Sequence, residues 1–262
     1  MITNNKIKKI VIMSVVFLLY PVLCMAHFGT ILTKRTMLDQ AHRRTTVIFA
    51  FLHPFEQKGM DLAKPAQVKA VNLTTGSKID LLKKLRPISV LKHRAWKTTF
   101  YPRRPGVYCI YMIPKPYWEG AEDIYIKHIT KTYVAAFGEE EGWDRPLGLE
   151  VEVVPLTRPY GLYAGNVFQG RVLKAGKPVA GCEVEVEYYN KGEKVHAYNE
   201  YMVTQVVRTD DNGIFTYAPP HAGWWGFSAL TTADYKIKHK GRDKEVEVGA
   251  VIWVKFLPWP KK

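Results

Sequence analysis

The sequence predicts an all-β protein, two tandem β-sandwiches behind a cleaved secretory signal. Three observations predict it. Short runs rich in β-branched and aromatic residues recur through the chain, separated by turn residues at sandwich spacing. Helical spacing is confined to one stretch, 80–91, where Leu81, Leu82 and Leu85 allow one short helix. Pro155 and Pro159 interrupt the strand pattern between two such sets, as an extended crossover between domains does.

The first residues read as a signal: Lys6, Lys8 and Lys9, an apolar run over 10–23, then Cys24-Met25-Ala26 with small residues where a signal peptidase reads. The apolar run is shorter than the roughly 20 residues of a spanning helix. Leu23 stands where a lipoprotein needs a small residue before its cysteine. Cleavage after Ala26 makes His27 the first residue of a periplasmic protein. In the first unit, 45–52 is a strand stopped by His53-Pro54, 67–72 a strand before the turn Thr75-Gly76, and 107–113 a strand entered through Pro105-Gly106. The long run 124–135 is a further strand, and 149–154 closes the unit. In the second, strands are expected at 166–173, 181–189, 203–209, 214–217, 224–231 and 246–256. Alternation in Glu183-Val184-Glu185-Val186-Glu187-Tyr188 puts acids on one face and apolar residues on the other, a strand packed on one side only. The expected division is 1–26 signal, 27–157 N-terminal sandwich and 158–262 C-terminal sandwich, of immunoglobulin-like or transthyretin-like type.

All seven tryptophans fall after the signal, so a sizeable core is available. The net charge is +14, and the signal contributes three lysines and no acid, leaving +11 on the mature side chains. In an exported protein this favours solubility, an anionic surface or an acidic partner over nucleic acid. Cys109 and Cys182 lie in apolar runs far apart and are expected as buried free thiols. No phosphate loop, nucleophile elbow or His-Glu-x-x-His helix is present, so no enzyme is expected.

The segment Gly176-Lys177-Pro178-Val179-Ala180-Gly181 leading into an alternating strand, with Thr209-Asp210-Asp211-Asn212-Gly213-Ile214-Phe215 beyond it, resembles the transthyretin-like or carboxypeptidase-regulatory-like sandwich. Over its mature length the chain resembles the NikK-like periplasmic proteins. His27-Phe28-Gly29, His53-Pro54-Phe55-Glu56, Ile126-Lys127-His128-Ile129-Thr130-Lys131, Gly142-Trp143-Asp144, the run from Glu152 to Gly161 and Ala222-Gly223-Trp224-Trp225-Gly226-Phe227 carry that resemblance. It implies a periplasmic accessory that supplies Ni(II), or Co(II), to an energy-coupling-factor metal importer in the membrane.

A free α-amine and an imidazole on one residue close a chelate ring through the amine and the near ring nitrogen, so processing makes His27 half of a metal site. His53 ends a strand and is held by Pro54. His128 falls by the period-two rule on the same face as Ile124, Ile126 and Val134, where an unsatisfied imidazole would cost about 1–3 kcal/mol. Joined, His27, His53 and His128 offer four nitrogens, a set suited to Ni(II) or Cu(II) and, through imidazole, to Zn(II). Glu56 and Asp123 are expected as outer carboxylates and His93 as a reserve ligand. Read singly, His53 is a strand-end residue bonded to backbone and His128 a satisfied core histidine. Of the remaining histidines, His42 sits among arginines, His196 and His239 are expected in solvated loops, and His221 precedes an aromatic run that fills a core. Two other readings stand beside metal supply: a histidine-brace copper monooxygenase, and a metal-free adhesion or interaction protein.

Overall fold

The computed structural model describes residues 27–260, so the expected signal at 1–26 lies outside the described residues. The principal strands are β1 (Phe28–Thr33), β2 (Thr45–His53), β3 (Gln67–Asn72), β4 (Arg86–Val90), β5 (His93–Phe100), β6 (Gly106–Ile113), β7 (Tyr117–Glu119) and β8 (Ile124–Ala136). They continue with β9 (Val151–Pro155), β10 (Phe168–Lys174), β11 (Glu183–Tyr188), β12 (Gln205–Arg208), β13 (Ile214–Tyr217), β14 (Gly223–Thr232) and β15 (Val246–Leu257). Among the described residues there is no α-helix, and the all-β class stands. Where a short helix was allowed, Leu82–Lys84 forms a single 3₁₀ turn and the chain then extends into β4. Pro87 lacks the N–H an α-helix needs, while Leu81 and Leu85 are buried in the core without a continuing helical stripe.

Three sheets carry the architecture. The first runs β1-β2-β5-β4, with the short strand Lys58–Met60 on β2. The central sheet runs β12-β11-β14-β15-β8-β6-β3, with β7 pairing off β8. The third joins β9 to β10, with β13 also on β10. The central sheet is covered on both faces, and period two shows how. Tyr108, Ile110, Met112, Ile126 and Val134 point into the core under the first sheet, against Ile31, Val47 and Phe49. Their neighbours Val107, Cys109, Ile129 and Tyr133 point the other way, against Val153, Phe168 and Phe215 of the third. That is why β6 reads as one continuous apolar run rather than an alternating one. Cys109 and Cys182 are buried, unbridged thiols, raised by burial to about 12 and about 11 respectively.

Two organisational expectations change. The strand at 151–155 does not close the first sandwich: it pairs with β10, from Val151 opposite Lys174 to Pro155 opposite Gly170. The two units are also joined through one sheet, because β15 lies parallel to β8 from Tyr125 opposite Val246 to Thr132 opposite Trp253. A buried ion pair reinforces the junction. Lys131 of β8 donates to Glu152 of β9 at 2.8 Å, both side chains 2% exposed, and Glu152 also accepts the Leu147 and Gly148 amides. Burial alone would raise Glu152, but Lys131 and those amides outweigh it and hold the carboxyl below its usual range.

The acidic face of β11 is only partly open to solvent: Glu183 is exposed, Glu185 half-buried and Glu187 buried. Glu187 is buried because the chain after β2 crosses it, the Phe55 amide donating to its carboxylate at 3.1 Å. Burial pushes Glu187 up to about 7, against the hydrogen bonds from Thr204 and Phe55. Glu185 rises to about 8, first through burial and then through Glu247 and neighbouring carboxylates. Its folded pKa lies above the ordinary value of 4.5, so below that value both states are protonated and no penalty arises. Stability is then lost as pH rises toward 8. Glu185→Gln is expected to raise the melting temperature at pH 8 and leave it unchanged at pH 4. An equal shift at both would show that ionisation is not the cause.

Candidate metal centre

Register brings the first two histidines together. β1 and β2 are antiparallel with Phe28 opposite Leu52 and Gly29 opposite Phe51, so the next pair outward is His27 with His53. Their ring centroids lie 4.5 Å apart, and His27 also stacks on Phe51 at 5.6 Å. His128 joins them from beneath. It sits on β8 on the face shared with Ile126 and Val134, is 2% exposed, and meets Phe51 edge-on at 6.0 Å.

Two glycines make this approach feasible. A Cβ on Gly29 would collide with Thr130 Oγ1 and meet the His128 carbonyl at 3.1 Å. A Cβ on Gly249, the β15 residue opposite His128, would meet the ring Nε2 at 2.8 Å. Trp253 Nε1 donates to the Gly29 carbonyl at 2.8 Å and fixes where β1 begins. A small pocket of about 70 Å³, lined in part by Gly29, Phe51, Tyr117 and His128, opens beside the rings.

The two outer imidazoles share one arrangement. His27 Nε2 lies 3.1 Å from Glu119, and His128 Nε2 lies 3.1 Å from Glu247. A carboxylate on Nε2 keeps the proton there and directs the Nδ1 lone pair elsewhere, as in carboxylate–histidine–metal sets. For His27, Nδ1 is the nitrogen nearer the backbone amine. For His128, Nδ1 accepts the Gly29 amide at 3.4 Å, a long hydrogen bond. Burial, then His53, lowers the His27 pKa to about 4 against the opposing pull of Glu119, so this imidazole is neutral at pH 7. Among the described residues, no group of three or more His, Cys, Asp or Glu side chains is set to hold a metal.

The carboxylates facing the histidines are therefore Glu119 and Glu247. Of the two expected outer carboxylates, Glu56 is engaged by Lys58 at 2.9 Å and Asp123 by Lys244. His93 faces Asp61 at 3.5 Å and is half-exposed. His239 is not solvated as expected: it stacks on Trp118 at 3.7 Å and lies 3.2 Å from the Tyr125 hydroxyl. Glu119 carries one signal in sequence, since a hairpin across Gly120 returns into the strand of His128. Glu247 carries none, because a parallel pairing across the whole chain puts it there.

A family model, "Domain of unknown function (DUF4198)", matches residues 24–233, which include all three histidines and the strands from β1 to β14 but not β15. The chain belongs to the DUF4198 family. A comparison with curated proteins finds no match. Among solved structures, this DUF4198 protein is similar to the D0-D1 domain of intimin, at 14% identity over 86% of this chain and 99% of that one, with a TM-score of 0.24. It is also similar to fibronectin(III)-like modules of Clostridium thermocellum CbhA, at 8% identity over 89% and 98% with a TM-score of 0.22. Likeness at these TM-scores carries neither site nor activity to this chain.

Proposed function

We propose that this DUF4198 protein is a periplasmic carrier that binds Ni(II), or Co(II), and supplies it to a membrane importer of the energy-coupling-factor type, as the NikK-like resemblance implies. The observation that carries the reading is the His27–His53 pair, rings 4.5 Å apart at the residue that signal cleavage would expose. The ligands are the His27 amine and Nδ1 and a nitrogen of His53. His128 adds its Nδ1 when the long bond to the Gly29 amide gives way. Three or four nitrogens suit nickel's tetragonal preference, while a carboxylate behind each of His27 and His128 fixes ring orientation.

Such binding stabilises the folded chain by mass action. Ni(II) in excess is expected to raise the melting temperature of the mature protein, and His53→Ala to abolish most of that rise. No rise with Ni(II), Co(II), Cu(II) or Zn(II) would leave the interaction-module reading in its place. The amine-plus-two-histidine set also favours a second reading, a histidine-brace copper enzyme. Oxygen consumption by the copper-loaded protein with a reductant is the result that would select it.

A further inference from the structure

The end of the first sheet opposite the histidines carries a groove of about 900 Å³ lined by Lys34, Arg35, Arg43, Arg44, Thr46 and Tyr101, among others. Lys34 and Arg35 follow β1, Arg43 and Arg44 precede β2, and Tyr101 follows β5, so three strand ends bring these residues together. No acidic side chain lines it, and among the described residues none of its lysines and arginines is paired with a carboxylate. Asp39, in the segment between β1 and β2, is engaged by His42, and Arg43 is held over the Phe137 ring at 5.0 Å. Four cations left unneutralised in one concavity, with hydroxyls between them, form a receptor for phosphate oxygens. Tyr101 is 50% exposed in the groove and Met37, in the same segment, 44% exposed. An exposed aromatic and an exposed thioether beside clustered cations fit an interfacial contact rather than a free ion.

We propose that this groove docks the mature protein on an anionic phospholipid surface. A chain held there keeps the histidine pair about 20 Å away along β1, at about 3.3 Å per residue, so docking and metal binding use opposite ends of the sheet. This inference does not rest on the metal reading.

The test is co-sedimentation of the mature protein with phosphatidylcholine vesicles containing or lacking phosphatidylglycerol, at physiological ionic strength. Binding is expected only with phosphatidylglycerol. Each cation near an anionic surface contributes roughly fivefold, so Arg43→Glu with Arg44→Glu is expected to weaken binding by more than about tenfold. Lys83→Glu with Lys84→Glu, two exposed residues elsewhere that change the net charge equally, are expected to have little effect. Arg44→Glu alone gives a smaller loss in the same direction and covers a double variant that folds poorly. Equal losses in both double variants would overturn the proposal in favour of overall charge. Independence from phosphatidylglycerol, displacement by millimolar inorganic phosphate, or a groove-dependent affinity for duplex DNA that exceeds vesicle binding would each overturn it as well.

Discussion

One glycine placed ahead of His27 is expected to weaken Ni(II) binding roughly 100-fold, about 2.7 kcal/mol. The extra residue turns the α-amine into an amide, which removes one ligand and opens the chelate ring while every side chain stays in place. His27 keeps its contacts to Phe51, His53 and Glu119, so folding should be unaffected. Calorimetric titration of the extended and mature chains checks the prediction. Unchanged affinity would remove the amine from the site and reduce it to imidazoles alone.

Lys131→Met is expected to cost about 3–5 kcal/mol, because it strands the buried Glu152 carboxylate. Lys131 reaches Glu152 at the point where the central sheet meets the third sheet, so the loss should appear as a single earlier unfolding transition of the whole chain. Urea denaturation of Lys131→Met, Glu152→Gln and the double variant measures it. The double variant is expected to cost less than the sum of the singles, and additive costs would show that the pair is not coupled. Linkage has the matching sign. Glu152 is depressed in the folded state, so its contribution is present above the ordinary carboxylate value of 4.5 and is lost as pH falls through its lowered folded value.

The parts of this fold that were legible in sequence are those governed by local rules. Turn residues and β-branched runs marked β2, β3, β6 and β8 to within a residue or two, and period two put His128 on the correct face of β8. The parts that were not legible depend on distant pairing. β4 and β5 lack a strong strand pattern because each packs on one side of the first sheet, with residues such as Arg86 and Arg94 facing solvent. Position alone places the run 149–154 with the first sandwich, yet β9 pairs with β10, which follows Pro159. The same distinction runs through the site. His27 and His53 were marked by processing and by a strand end, both local features. Glu247 reaches His128 through the parallel β8–β15 pairing, which no local pattern announces. The ion pairs that Glu56 and Asp123 make with Lys58 and Lys244 are likewise not announced by any local pattern.

The proposed metal centre requires a mature chain that begins at His27 and carries a metal there. Protein recovered from the periplasm, sequenced from its N-terminus and analysed for metals in the same sample, tests that most directly. His27 as the first residue with about one nickel or cobalt per chain is the predicted result. A different first residue, or His27 with no first-row metal, would contradict it.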